Sequence, residues 1–339
     1  MRELSSQRVL APQRVLVWAG PLLLLLGLVA VLPVVGPLND TARGGAPPHL
    51  YVTDAANNRV VRMDDITGAG WTTFGTIGPG VNQFSFPKGL YVDPAGKIYV
   101  TDANNARIVR IDDMTGKNWT TLGGPVPGGG ANQFYSPTDI VVDAAGKIYV
   151  TDEGNNRIVR MDDMSGAGWA ILGADGSGTN QFRSPTGIAI DAAGKIYVTD
   201  AGNARIVRID NIAGAGWTAF GSRGHGTNQF KYPVGIVVEA TGRIDVIDGG
   251  DNRLVRIDDM TGAGWTAFSP ADSPGNSKTG QFGNPFGLAV DSAGPIYVAD
   301  TRNNRIVRME NITGAGWTAL GAIGPGVKQF VGPQSVFLR

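Results

Sequence analysis

The sequence has no cysteine and only two histidines, His49 and His225, in 339 residues. Disulfides, thiolate chemistry and cysteine-held metals are excluded. A catalytic zinc centre that takes three histidines from the chain is excluded as well. Neither sign of charge is in excess, since 29 Lys and Arg stand against 29 Asp and Glu. From residue 41 onward there are 26 basic and 27 acidic side chains. That is not the basic footprint of a nucleic-acid binder, so nucleic acid is not expected as a partner. No Gly-x-Ser-x-Gly elbow, phosphate-cradling Walker motif or dinucleotide fingerprint occurs.

Long apolar runs are also scarce, with a single exception. Residues 15–38, VLVWAGPLLLLLGLVAVLPVVGPL, carry no charge. About 20 apolar residues span a bilayer. Arg2, Arg8 and Arg14 precede the run, and the positive-inside rule then holds residues 1–14 in the cytoplasm and the rest of the chain outside it. The run is longer than the apolar core of a signal peptide, and Pro37 follows the nearest small-residue cut site. The segment therefore reads as one transmembrane signal anchor, with secretion after cleavage as the alternative. Residues 39–48 read as a linker.

The chain is rich in turn formers, with 50 glycines and 20 prolines, and they recur at a fixed interval. Trp71, Trp119, Trp169, Trp217, Trp265 and Trp317 lie 48 to 52 residues apart. Six Gln-Phe pairs keep the same beat, ending at Phe84, Phe134, Phe182, Phe230, Phe282 and Phe330. Such a period means a solenoid, a propeller or an array. One unit, 187–221, contains four short strand-like runs, GIAID, IYVTD, RIVRID and WTAFG, separated by Gly, Asn and Asp turns. Four antiparallel strands per unit make a propeller blade. The first unit enters at HLYVTD and lacks its inner strand, whereas the last residues, FVGPQSVFLR, align with FSFPKGLYVD. The prediction is an all-β, six-bladed propeller over 49–339, closed by the C-terminal strand joining the first blade.

The repeated letters, GIAVD-x-x-GKIYVTD-x-x-NNRIVR preceded by QF-x-x-P, resemble the NHL-repeat family over residues 49–339. The resemblance implies the same six-bladed fold. It does not choose a function, because the family includes RNA-binding domains, extracellular sensor domains, amidating lyases and ligand scaffolds. The zinc-holding and catalytic histidines of its lyases have no counterpart pattern here.

The repeated charges read as scaffold. Across the four-residue turn of each blade, Asp102 faces Arg107, Asp152 faces Arg157, Asp200 faces Arg205, Asp248 faces Arg253 and Asp300 faces Arg305. Opposite charges across a strand pair contribute about 0.2–1 kcal/mol. The same register sets Tyr197 under Arg208 and opposes Lys97 to Asp112, Lys147 to Asp162, Lys195 to Asp210, Arg243 to Asp258, Asp245 to Arg256 and His49 to Asp64. Function is then sought where the copies differ. Lys88, Tyr135, Asp139, Arg183, Lys231, Tyr232, Phe286, Arg302 and Gln334 are expected around one rim of the ring. They point to a peptide, glycan or protein partner. No cofactor and no metal ligand set are expected. Lyase or hydrolase chemistry with a metal or carboxylate site at the channel mouth is the alternative, and RNA binding the second alternative.

Overall fold

The computed structural model describes residues 48–268 and 280–339. The expected anchor at 15–38, the residues before it and 39–47 of the expected linker lie outside the described residues. Among those described, no helix is long and apolar enough to cross a membrane.

Six four-stranded antiparallel sheets form six blades. Blade 2 shows the pattern: an inner strand Pro87–Val92, then Ile98–Asp102, Arg107–Ile111 and an outer strand Thr120–Gly123. The inner strands of blades 3 to 6 are Pro137–Val142, Pro185–Ile190, Pro233–Val238 and Leu288–Val290. Blade 1 takes its inner strand, Pro333–Leu338, from the other end of the chain. Leu50 pairs with Leu338, Tyr51 with Phe337 and Val52 with Val336. His49 and Arg339 exchange two backbone hydrogen bonds beside this pair. The inner strands neighbour one another around the whole circuit.

Six apolar cores result, one between each pair of adjacent blades. The phenylalanine of each Gln-Phe pair fills one of them and is at most 1% exposed. Full burial of such a side chain stabilises the fold by about 1.5–3 kcal/mol. The periodic tryptophan of the following blade lies on that phenylalanine, with ring centroids 5.2–5.4 Å apart. The tryptophans, each just ahead of an outer strand, therefore close the seams.

Adjacent blades are also fastened by hydroxyls. The threonine before each Asp of the second strand is fully buried where it occurs. Thr53, Thr101, Thr151 and Thr199 donate to the carbonyls of Lys88, Thr138, Thr186 and Val234 on the next blade. The same oxygens accept the N–H groups of Ser335, Gly89, Asp139 and Gly187 within their own blade. Blade 5 has Ile247 and blade 6 has Ala299 at this position. Thr301 donates instead to Pro333 O and fastens blade 6 to blade 1. Among the described residues, the seam between blades 5 and 6 has no such threonine bond.

The inner strands pass close to one another near the start of each. A Cβ on Gly187 would lie 2.3 Å from Val234 O, and one on Gly235 would lie 2.4 Å from Phe286 O. Only glycine permits that approach. Blade 3 departs from the pattern with Asp139, and blade 1 with Ser335.

Candidate functional site: the mouth of the ring

The inner strands start on one face of the ring. The one-turn 3-10 helices that join the second and third strands, such as Ala103–Asn105, lie on the same face. The loop from each outer strand to the next inner strand arrives there too. This face is called the mouth. The described chain begins at Pro48 and ends at Arg339 on the opposite face, where Arg339 bonds the carbonyls of Asp93 and Pro94.

The repeated Asp-x-x-Asn-x-Arg set holds these loops down. Arg107 Nε donates to Asp102 Oδ2 at 2.7 Å, and its other nitrogens reach the carbonyls of Pro79, Gly80 and Gln83 in the incoming loop. The corresponding distances are 2.8 Å for Asp152–Arg157, 2.7 Å for Asp200–Arg205, 3.1 Å for Asp248–Arg253 and 2.6 Å for Asp300–Arg305. Asn105 Nδ2 donates to Asp102 Oδ2 and to Gly78 O. The second carboxylate oxygen accepts the Ser85 N–H. Burial pushes the carboxyl upward, and the Ser85, Asn105 and Arg107 bonds oppose it.

Three parts of the expected charge pattern need correction. First, Arg208 faces Tyr197 without lying over its ring, and the arginines that stack on tryptophan are those of the Asp pairs: Arg107 sits 5.6 Å from the Trp119 ring centroid, and Arg157, Arg205, Arg253 and Arg305 repeat the contact. Only Arg308, over Tyr297 at 6.0 Å, shows the expected arginine–tyrosine contact among the described residues. Second, Lys97 makes no ion pair with Asp112, whose Oδ2 instead accepts the Asn118 amide at 2.6 Å. Third, Arg243 turns to Glu239 at 2.6 Å and not to Asp258. Other cross-strand charges do meet. Lys147 reaches Asp162 at 2.8 Å, Arg256 reaches Asp245 at 2.7 Å, His49 reaches Asp64 at 3.2 Å, and Lys195 stands 4.0 Å from Asp210.

Around the mouth, one connected polar group joins blades 2 and 3. Lys88 Nζ of blade 2 lies 3.0 Å from Glu153 Oε2 and 3.5 Å from Ser136 Oγ of blade 3. Thr138 Oγ1 donates to the same Glu153 oxygen at 2.9 Å. Tyr232, leading into blade 5, and Ser184, leading into blade 4, stand beside this group. Burial and the nearby Glu153 charge push the Tyr232 hydroxyl upward. Tyr135 stands over the turn at Gly154 and is 53% exposed.

Asp139 is set apart. Its carboxylate accepts the Ile140 N–H at 2.9 Å and the Ile188 N–H of blade 4 at 3.0 Å. Burial pushes its carboxyl up to about 7 against those two bonds. No cationic side chain pairs with it among the described residues.

The remaining expected rim residues divide. Arg183 pairs with Asp175 at 3.2 Å. Lys231 lies 3.9 Å from Asp251, which also receives His225 at 2.8 Å and Arg253 at 3.5 Å. The basic rim suggested by Lys88, Arg183 and Lys231 is thus neutralised residue by residue. Phe286 packs against the core between blades 5 and 6, Gln334 is buried in the inner strand of blade 1, and Arg302 is exposed on the turn of blade 6. Ser136, Ser184, Asp175 and Asp251 were not among the expected site residues. Asp251 had a signal, since it stands where Asn57, Asn105, Asn155, Asn203 and Asn303 occur in the other blades.

The NHL repeat matches residues 84–111, 134–161, 182–209 and 282–309, and the chain is an NHL-repeat six-bladed propeller. No curated protein matches it. Among solved structures, it is similar to a chain of a nidogen/laminin complex, with a TM-score of 0.64 and 18% identity over 85% of this chain and 97% of that one. It is also similar to a streptogramin B lyase, at 0.51 and 19% over 70% of each chain. A catalytically inactive virginiamycin B lyase from Staphylococcus aureus, solved with quinupristin, gives 0.50 and 19% over 71% and 75%. At these identities the likeness concerns the fold.

Proposed function

We propose that the protein is a binding or scaffold module that engages a peptide, glycan or protein partner through the mouth of its ring. The observation that carries this reading is the connected group of Lys88, Ser136, Thr138 and Glu153, flanked by Ser184, Tyr232 and the exposed Tyr135. Fixed polar groups beside an exposed aromatic ring suit recognition. The fold serves a lyase in one neighbour and stands in a protein complex in another, so the site must choose. Here Lys88, Arg183 and Lys231 of the mouth each lie beside an acid, which argues against an RNA groove.

The reading includes a tether. An anchor at 15–38 would hold the ring outside the cytoplasm.

The test is binding of the full chain to peptide and glycan arrays, repeated with Tyr135→Ala and with the pair Lys88→Met and Glu153→Gln. A ligand that loses about tenfold or more with either variant, at unchanged melting temperature, supports the reading; about tenfold corresponds to 1.4 kcal/mol. Undiminished binding by both variants would move the ligand surface elsewhere. One observation favours lyase or hydrolase chemistry as a second reading: a carboxyl near 7 is matched to general acid–base work. Substrate turnover that disappears in Asp139→Asn would establish it.

A further inference from the structure

Six residues stand two positions after the proline that leads into each inner strand: Gly89, Asp139, Gly187, Gly235, Gly287 and Ser335. At this level the strands nearly touch, and Asp139 Cα itself would lie 2.6 Å from a Cβ on Gly89. Asp139 is therefore the one carboxylate placed among backbones that elsewhere tolerate only glycine or serine. Its bonds go to two backbone N–H groups and to no cation.

The charges around it are spoken for. On blade 2, Lys88 is paired with Glu153. The inner strand of blade 4, Pro185–Ile190, carries no charged residue. Arg183, ahead of that strand, is paired with Asp175. Arg302 belongs to blade 6, on the far side of the ring from blade 3. The other carboxylates of the mouth side, those of the Asp-x-x-Asn-x-Arg sets together with Glu153, Asp175 and Asp251, each have a cationic partner.

We infer that Asp139 makes the mouth a receptor for a cationic group, an ammonium carried on a lysine side chain or on the terminal amine of a peptide partner, seated where blades 3 and 4 meet. This rests on the reading of the mouth as the ligand surface, and it specifies the chemistry of the ligand. A half-buried carboxylate lacking a counter-charge gains from an ammonium that brings one. A divalent cation is a poorer match, because it asks for several converging oxygens, and no group of three His, Cys, Asp or Glu side chains stands together among the described residues. Because burial holds the carboxyl up, an arriving ammonium must displace a proton at acidic pH, so binding weakens as the pH falls through that range.

The probes are n-butylammonium, for a lysine side chain, and glycinamide, for a terminal amine, with neutral butanamide and butanoate as controls. The readout is the shift of the Ile140 and Ile188 amide resonances in the full chain. Saturable shifts are expected with at least one amine and with neither control. The shifts should vanish in Asp139→Gly, which restores the residue of blades 2, 4, 5 and 6, and in Asp139→Asn. Affinity should be about tenfold weaker near pH 6 than near pH 8. No saturable shift with either amine overturns the inference. So does a shift that persists in Asp139→Gly, an affinity equal at both pH values, or a response to calcium chloride in place of the amines. A ligand from the arrays that needs Tyr135 or the Lys88–Glu153 pair, together with silence from both amines, would retain the mouth and remove only the ammonium.

Discussion

In the six hairpin turns, one residue sits in the left-handed region at φ of 51–55°: Asn58, Ala106, Asn156, Ala204, Asn252 and Asn304. Asparagine tolerates this conformation, whereas alanine is penalised by about 1–2 kcal/mol. The asparagines do more than tolerate it. Asn58, Asn156, Asn252 and Asn304 each accept a backbone N–H from the next loop, from Phe86, Ser184, Asn284 and Gly332. Ala106 offers Ser136 no such acceptor. Ala106→Asn is expected to stabilise the protein by about 1 kcal/mol and to raise its melting temperature; an unchanged or lower value would show that the Ser136 N–H is already satisfied. At this scale the sequence is informative wherever a copy breaks the pattern, as Asp139 and Asp251 do. It is silent about partners. Lys88 and Glu153 are 65 positions apart and meet only because consecutive blades stand side by side.

Strand register was legible from charge and aromatic order alone, and Tyr197 does face Arg208 while Asp200 faces Arg205. What these residues do beyond facing one another was less legible. Arginine over tyrosine was the natural expectation for a flat pairing. Arg208 faces Tyr197 without stacking on it, and the arginine that does stack is Arg205, drawn toward the incoming loop by Ser177 O and Gln181 O and so placed over Trp217. The threonines preceding the aspartates also looked like ordinary strand formers, and their part in joining blades emerges only in three dimensions. Thr101→Val preserves shape and removes the hydroxyl shared by Gly89 N–H and Thr138 O. A loss of about 1–3 kcal/mol is expected in denaturant unfolding, since two buried backbone groups lose their partner. A change within a few tenths of a kcal/mol would mean that the strands slide to pair those groups directly.

At the scale of the whole ring, closure was readable because the last strand, PQSVFL, carries the letters that the first blade lacks. That strand covers Leu50 and Val52, which are 1% and 0% exposed. A chain ending at Gly332 would leave blade 1 as a three-stranded sheet with an open apolar edge. It should lose cooperative thermal unfolding and aggregate; a sharp transition near the wild-type temperature would show that five complete blades suffice. The polarity of the mouth was not readable, because it depends on which loop tips of different blades meet.

Five joints of the ring are riveted by a threonine hydroxyl, and the joint between Ile247 and the sixth blade is held by hydrocarbon alone at that point. A hoop with one unriveted joint opens there first under load. A force pulling on the ring, or a rise in temperature, would thus prise the circle apart at a place chosen by two residues, Ile247 and Ala299.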